Sequence, residues 1–422
     1  MDLGSVLDVP FPKMIKVRQI FPKKIVRDIP AAVRAELLRP AIRQRIRPGA
    51  RVAIAVGSRG IANLALIVGT LIRELKEQGA EPFVVPAMGS HGGATAEGQR
   101  AVLAEYGITE EGVGAPVLSS MEVEEIGRLP SGLPVYFDRL ALQADAIIPV
   151  NRIKPHTSFR GPVESGLIKM LTIGLGKHKG ATTVHQEGFA RFAENLLAAG
   201  RLILQRVPVA FGLAILENAF DQTAHLEAIL PEDIEARERE LLEEARRLMA
   251  RLLFEQLDVL VVDRMGKEIS GTGMDPNVLG RYTFPWMSGG PSINRIVVLD
   301  LTEKSRGNAT GVGLADIVTR RLVDKIDWRS TYLNVITSTN LGAARIPVTM
   351  DNDREAVALA IRTANRSDLE KVELARIKST LELEEIWISE ALWEKNRGRS
   401  DLVPLGALEE MAFDAAGNLV PF

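Results

Sequence analysis

The strongest constraint on the fold is a strand–helix–strand pattern near the start of the chain. Residues 51–57 form an apolar run ending in glycine, residues 61–79 carry a helical pattern closed by glycine, and residues 81–88 form a second apolar run. A helix between two strands returns the chain to the same end of the sheet, so such strands pair in parallel. The pattern predicts an α/β protein with helices on the faces of a parallel sheet.

Further elements extend this pattern along the 422 residues, a length typical of two or three domains. The pattern predicts more strands at residues 144–151, 208–216, 257–263, 293–301 and 332–338. It predicts helices at residues 95–107, 231–254, 312–326 and 353–364.

The helix at residues 231–254 has an acidic start and an arginine-rich end, which suits the helix dipole. Its apolar stripe contains Leu241, Ala245, Leu248 and Leu252. We predict two α/β domains with mostly parallel sheets, joined by this long helix, with the active site in the cleft between them. The domains are residues 1–255 and a smaller domain of residues 256–422, which ends in an irregular tail.

Composition excludes several classes of protein. The chain has no cysteine, so disulfides, iron–sulfur clusters and thiolate zinc sites are impossible. The 52 basic and 54 acidic side chains balance, which argues against nucleic acid as a partner. No secretory leader is evident, and the longest apolar run, at residues 61–72, is too short to span a bilayer. We therefore expect a cytoplasmic protein without a membrane partner.

Three of the five histidines lie in turns rich in glycine or proline. His91 follows one predicted strand, His156 follows another, and His185 lies in GATTVHQEG. Ligands of parallel α/β sheets bind at the carboxyl ends of the strands, so we expect His91 and His156 to face one cleft. The alternative is that all three are ordinary surface-loop histidines.

A basic, glycine-rich stretch follows His156 and surrounds Lys169, which lies in the apolar sequence GLIKMLTIGLG. Neighbouring cations favour the neutral amine of a buried lysine, which is then nucleophilic or open to covalent attachment. The alternative is a solvated basic loop, which we expect for Lys177, His178 and Lys179. Another candidate is the GSRG turn with Arg59, a possible anion site although it matches neither a dinucleotide fingerprint nor a P-loop.

The order of these residues resembles the nickel-pincer-nucleotide lactate racemase family. The shared features are the GSHGG turn with His91, KPHTSFRG with His156, GLIK with Lys169, and the later His185. The resemblance extends in architecture over roughly residues 10–350. It implies an acid/base pair of His91 and His156, cofactor attachment through a thioamide at Lys169, nickel ligation by His185, and cofactor or carboxylate binding by Arg59.

The resemblance implies an isomerase, a racemase or epimerase of a 2-hydroxy acid. Its cofactor would be the nickel-pincer nucleotide, a pyridinium thioamide/thiocarboxylate mononucleotide that takes up hydride reversibly, and its partners would include the cofactor-maturation enzymes. The sequence departs from the family at Val56, where an aspartate is expected, and lacks an evident Gln-x-x-Lys pair in the second domain. Lys267 and Arg281 are the candidates for carboxylate binding there. The substrate therefore stays open among 2-hydroxy acids, including sugar acids.

Two other functions also stay open. One is a cofactor-free family relative that binds a small carboxylate or phosphate anion without racemase activity. The other is a different enzyme on the same scaffold, such as a dehydratase or a metal-dependent lyase.

Overall fold

The computed structural model describes residues 4, 6–57, 60–186, 188 and 191–422. Its strands are β1 (Met14–Gln19), β2 (Arg51–Val56), β3 (Glu81–Pro86), β4 (Val123–Arg128), β5 (Pro134–Asp138), β6 (Ala146–Arg152), β7 (Gly212–Glu217), β8 (Thr223–Ile229), β9 (Gln256–Met265), β10 (Ser292–Leu301), β11 (Ile317–Thr319), β12 (Val348–Met350), β13 (Leu374–Ile377), β14 (Glu385–Ser389) and β15 (Leu402–Pro404).

The α-helices are α1 (Ile29–Leu38), α2 (Pro40–Arg43), α3 (Leu64–Glu77), α4 (Ala96–Glu105), α5 (Glu110–Val113), α6 (Arg139–Leu142), α7 (Leu167–Lys169), α8 (Lys177–Gln186), α9 (Phe192–Arg206), α10 (Ile234–Leu248), α11 (Pro276–Leu279), α12 (Arg320–Asp324), α13 (Trp328–Thr337), α14 (Asp353–Arg362) and α15 (Glu390–Asn396). A π-helical segment, Met170–Gly174, continues directly from α7. None of the helices formed by the described residues is both long enough and apolar enough to cross a membrane.

The chain forms two compact units. The first unit is Pro22–Met249, and the second combines the described residues up to Phe21 with Ala250–Phe422. The sequence-based division assigned the N-terminal segment to the first domain, but β1 pairs with β14 and β15 of the second unit. This pairing is long-range in sequence, so local patterns could not indicate it.

The first unit is built on a sheet whose described strands have the order β3-β2-β6-β7-β8. The first four strands of this order are parallel, and β8 is antiparallel to β7. The predicted strand–helix–strand unit is confirmed, because β2 and β3 are parallel neighbours joined by α3. Alternate residues of the strands enter two separate apolar cores, so both faces of the sheet are buried.

One of these cores, on the face covered by α7 to α10, holds the elements that carry most of the candidate site. Leu241, Ala245 and Leu248 of α10 are buried in it, as the apolar stripe predicted. The helix is shorter than predicted and lies within the first unit, with the division between units directly after it, at residue 249. The helix therefore packs as part of the first unit, whereas the sequence predicted that it joins two domains.

The second unit contains a sheet whose described strands have the order β12-β11-β10-β9-β13-β14-β1-β15. Pairing is parallel from β12 to β13 and antiparallel from β13 to β15. With the sheet of the first unit, this confirms an α/β fold with mixed, mostly parallel sheets. The C-terminal tail belongs to this unit, since Leu419 N donates to Asp353 at 2.9 Å and Arg354 N donates to the carbonyl of Gly417.

Two sequence predictions in the second unit were wrong. Residues 332–338, predicted as a strand, lie at the end of α13, which Asp327 caps by accepting a hydrogen bond from Ser330 N at 2.6 Å. Its buried residues, Thr331 and Val335, are four apart, so their burial follows the period of a helix. Residues 312–326, predicted as one helix, contain β11 and then α12, because a buried Ile-Val run pairs with β10 and β12.

Candidate functional site

The candidate site begins at the carboxyl edge of the first unit's sheet. β3 and β6 are both parallel to β2, which lies between them, so their carboxyl ends share one edge. His91 follows β3 by five residues, and His156 follows β6 by four. The topology therefore places the two turns at the same edge, as the sequence predicted, and this is the usual position of ligand sites in parallel sheets.

His156 and Lys169 are in direct contact, with 2.7 Å between His156 Nε2 and Lys169 Nζ. The backbone N–H of Ser158 donates to His156 Nδ1 at 3.0 Å, so Nδ1 carries no proton and the neutral ring has its proton on Nε2. That Nε2–H can only donate, and an amine accepts a hydrogen bond only when it is neutral. The geometry therefore selects the neutral, nucleophilic form of Lys169.

The turn that carries His156 is held by a buried carboxylate, Glu164. Glu164 accepts hydrogen bonds from His156 N and from Arg246 of α10, both at 2.6 Å, and burial raises the pKa of its carboxyl group. Arg160 adds a second tie by donating to the carbonyl of His156 at 2.7 Å. These contacts fix the backbone of the turn and thereby the direction of the imidazole.

Lys169 ends the short helix α7, whose first amide groups face another buried carboxylate. Glu238 of α10 accepts a hydrogen bond from Ile168 N at 3.0 Å, and burial raises the pKa of its carboxyl group to about 7. Gly166 permits this approach, because a Cβ there would lie 2.2 Å from Glu238 Oε1. Any larger residue at position 166 would displace either the carboxylate or the helix that carries Lys169.

His185 lies on α8, and its Nδ1 is 2.6 Å from the carbonyl oxygen of Ala181. A carbonyl only accepts, so Nδ1 carries the proton and the lone pair of the neutral ring is on Nε2. Part of the residue faces solvent, but desolvation of the ring by the surrounding protein lowers the pKa of His185. The imidazole is thus kept in the neutral form that binds metals.

Two buried phenylalanines connect the His156 and His185 rings. Phe159 packs on His156 with 4.4 Å between ring centroids, and Phe192 packs on His185 at 4.9 Å. The two phenylalanine rings are 4.7 Å apart. Three residues predicted from sequence, His156, Lys169 and His185, are therefore neighbours on one side of the first unit.

The turn of His91 packs against the same helix that carries His185. Gly89 N donates to the carbonyl of Gly174 at 3.1 Å, and a Cβ on Gly89 would lie 3.5 Å from Cβ of Ala181. Ala181 is also the residue whose carbonyl holds the His185 ring. The His91 side chain is exposed, which leaves it accessible to a ligand at this edge.

Only part of the GSRG turn, where an anion site was predicted, lies within the described residues. Arg59 lies outside the described residues. Helix α3 begins at Leu64, well after the turn, and Ala62 N donates to Glu217 at 2.6 Å. A carboxylate of the protein therefore already binds one of the amides between the turn and the helix. The start of the turn, Gly57, lies beside Met170, the residue after Lys169.

The two candidates for carboxylate binding in the second unit lie near opposite ends of its strands. Arg281 lies near the amino ends of β10 and β11, where it donates to Asp316 and to the carbonyl of Ile293. Its guanidinium thus ties strand starts together, and we do not propose it as a substrate ligand. Lys267 follows the carboxyl end of β9 and donates to Asn334 Oδ1 and to the carbonyl of Gly271, both at 2.6 Å.

Sequence reasoning missed the buried polar residues behind the site and was wrong about one of them. Lys177 was expected to be solvated, but it is fully buried and lies 3.0 Å from Asp138. Gln99, Glu164 and Glu238 are also buried and were not singled out. The partners of these residues are distant in the sequence. For Lys177 the sequence offered only the basic segment GKHKG, whose composition indicated a surface loop.

Glu238 leads to a prediction about stability. A carboxyl group whose pKa is about 7 in the folded protein, and about 4.5 when unfolded, binds more protons in the folded state between these values. The free energy of unfolding therefore falls as pH rises from about 4.5 to about 7. In Glu238→Gln this fall should be smaller by about 3 kcal/mol, which urea unfolding at pH 5 to 8 would measure.

Glu235→Gln is the matched control for this prediction, since Glu235 lies on the same helix and Arg201 lowers its pKa. A lowered pKa stabilises the fold above the unfolded value, and that contribution is lost as pH falls. Glu235→Gln should therefore leave the pH dependence between pH 5 and 8 close to that of wild type, because the Glu235 contribution changes only at lower pH. Equal slopes for wild type and Glu238→Gln would refute the assignment.

Comparison with known proteins agrees with the family that the motifs indicated. Residues 9–194 match the family described as the lactate racemase N-terminal domain. The chain is also similar to the lactate racemase apoprotein from Thermoanaerobacterium thermosaccharolyticum, at 14% identity and a TM-score of 0.46, over 87% of this chain and 88% of that chain. No curated protein matches the chain. The segment that matches the lactate racemase N-terminal domain contains His91, His156, Lys169 and His185.

Proposed function

We propose that this protein is an isomerase that racemises or epimerises a 2-hydroxy acid. The observation that carries the proposal is the 2.7 Å contact of His156 with a neutral Lys169 amine, beside a neutral imidazole on His185. A nucleophilic amine, a base and a metal ligand are the three protein groups that a tethered metal cofactor requires. Homology of residues 9–194 to lactate racemases supports a racemase-like function.

The residues fit a nickel-pincer nucleotide. Lys169 would hold its organic part covalently, and His185 would ligate nickel through Nε2. Among the described residues, no group of three or more histidine, aspartate or glutamate side chains could hold a metal by itself. A nickel ion here would therefore need further ligands from the attached organic group. When bound, the cofactor supplies an electrophilic pyridinium ring that accepts a hydride from the substrate carbon.

The chain's own residues supply proton transfer and orientation. Removing a hydride from the carbon that bears the hydroxyl group requires a base for the hydroxyl proton, and histidine suits this because it exchanges protons near neutral pH. We assign His91 and His156 as the two bases, one for each enantiomer. An acylated Lys169 nitrogen no longer accepts a hydrogen bond, which releases His156 Nε2 towards the substrate. As an acid, His156 donates its Nε2–H to the substrate oxygen; as a base, it needs the tautomer with the proton on Nδ1, which gives up the hydrogen bond from Ser158 N. Arg59 remains the candidate for the carboxylate.

Isotope retention tests the proposal. Protein produced together with the cofactor-making enzymes, as the proposal requires, would be incubated in D₂O with single enantiomers from a panel of 2-hydroxy acids, including lactate and sugar acids. Because the hydride returns to the same carbon, the product should have the opposite configuration and keep its original hydrogen. NMR and chiral chromatography would measure both. Full deuterium incorporation would contradict hydride transfer and indicate proton abstraction to solvent.

An anion-binding relative without a cofactor gives a different result. Its intact mass would equal that of the bare chain even after production with the maturation enzymes, and no enantiomer would interconvert. That combination would replace the racemase proposal with the binding function.

A further inference from the structure

Lys177 is a buried cation at the junction of four elements of the first unit. Its ammonium donates to the carbonyl of Pro86 at the end of β3, and lies 3.2 Å from Gln99 Oε1 on α4 and 3.0 Å from Asp138, the N-cap of α6. Its own backbone begins α8 and has a φ of 54°, a strained value for a residue other than glycine. A buried charge in a strained backbone is costly, so a specific role is expected.

The role follows from the orientation that Lys177 imposes on Gln99. An ammonium only donates, so the Gln99 side chain must turn its oxygen to Lys177 and its NH₂ group the other way. That NH₂ group donates to the carbonyl of Gly89 at 2.8 Å and contacts the carbonyl of His91 at 3.4 Å. Gln99 is fully buried, so no solvent competes for these bonds.

The turn that receives these bonds depends on such support, because its backbone is unusual. Gly89 and Gly92 flank His91 and both have left-handed backbones, with φ values of 61° and 66°. A Cβ at Gly92 would lie 2.5 Å from the carbonyl carbon of Gly98, so the turn is also tightly packed on α4. Holding two carbonyl groups of this turn fixes the direction in which His91 projects.

We infer that Lys177 and Gln99 are positioning residues for His91, joining its turn to the start of the helix that carries His185. The inference rests on the proposed function for its catalytic meaning, but its geometric content is independent. Lys177 begins α8 and His185 lies two turns later on the same helix. The buried ammonium therefore relates the position of a proposed base to that of the proposed nickel ligand.

The test uses the chain's five histidines as probes. Histidine-selective isotope labelling of the full chain gives one imidazole signal per residue, and His91→Gln assigns the signal of His91. Gln99→Met keeps the length of the side chain but removes both hydrogen-bonding groups. Gln99→Glu keeps the acceptor for Lys177 and puts an oxygen opposite the carbonyls. Both variants should shift the His91 signal and leave the signal of His225, on β8, unchanged.

Val261→Ala is the control, since Val261 is buried in a core of the second unit. It should lower resistance to urea without moving the His91 signal. In cofactor-loaded enzyme, both Gln99 variants should keep the wild-type Lys169 adduct while kcat falls by about 100-fold, as expected for a displaced reactive group.

The His91 signal decides the inference. A wild-type His91 signal in both folded Gln99 variants would overturn it, as would wild-type kcat. Shifted signals in a protein that racemises no 2-hydroxy acid would instead sustain the positioning role and refute the proposed function. The two ideas can therefore fail separately.

Discussion

Lys169→Ala is expected to abolish cofactor attachment and all racemase activity. The neutral amine of Lys169 is the nucleophile that the geometry provides, since His156 Nε2–H donates to it at 2.7 Å. Alanine removes this nitrogen. Intact-mass spectrometry of protein produced with the maturation enzymes should show the adduct on a peptide containing Lys169 in wild type and the bare chain in the variant.

Lys169→Arg separates loss of the nucleophile from loss of the long side chain. A guanidinium stays protonated in proteins and cannot accept the hydrogen bond from His156, so this variant should also lack the adduct. Lys179→Ala is the positive control, because Lys179 lies on exposed α8 surface, over the ring of Tyr136. An active, adduct-bearing Lys169→Ala protein would refute the assignment.

His91→Ala and His156→Ala are the second pair of variants with a large expected effect. Each should lower kcat by about 10²–10⁴-fold, the usual contribution of a positioned acid or base. Neither side chain is the proposed attachment point, so both variants should still carry the adduct on Lys169. The adduct should form more slowly in His156→Ala, because this variant lacks the ring that favours the neutral amine. Steady-state kinetics in both directions, with intact mass on the same samples, would measure the two effects together.

The two histidines should also differ in direction. If each histidine serves one enantiomer, removal of the hydride from one enantiomer should be slowed most in His91→Ala. Removal of the hydride from the other enantiomer should be slowed most in His156→Ala. Single-turnover experiments with each enantiomer would show this. His178→Ala, in an exposed part of α8, is the matched control and should behave as wild type. Equal impairment of His178→Ala would indicate a general effect on folding.

Local sequence patterns predicted the parts of the site that local geometry builds. A strand followed by a glycine-rich turn placed His91, and a strand followed by KPHTSFRG placed His156. Parallel pairing then put both at one edge of the sheet. Lys169 was recognisable because a lysine inside an apolar run needs a special reason to be there.

The buried polar partners could not be predicted in the same way. Glu238 meets Ile168 across 70 residues, and Arg246 meets Glu164 across 82. On α10 both look like ordinary members of a charged helix, because charged residues are frequent around them. Only packing shows that Glu238 is fully buried while Glu240 on the same helix is exposed.

Lys177 is the clearest example of a residue whose burial could not be predicted from its sequence neighbours. Its neighbours in the sequence are basic and its composition indicates a surface loop, yet one left-handed backbone angle turns the side chain into the core. Likewise α13 has the composition of a strand, and tertiary burial of Thr331 and Val335 together with the Asp327 cap made it a helix. In both cases the local preference was weak and the tertiary environment overrode it.

By itself, the sequence determined the α/β class, the parallel pairing near the N-terminus, and the position of His91 and His156 in turns that follow two strands. These follow from periodicity and turn residues, which act over a few positions. The tertiary structure alone decided that Lys169 meets His156 as a neutral amine, and that Glu164, Glu238 and Lys177 hold the reactive turns in place. A buried charge or amide is stable only where its partners converge, and that convergence comes from packing between segments far apart in the chain.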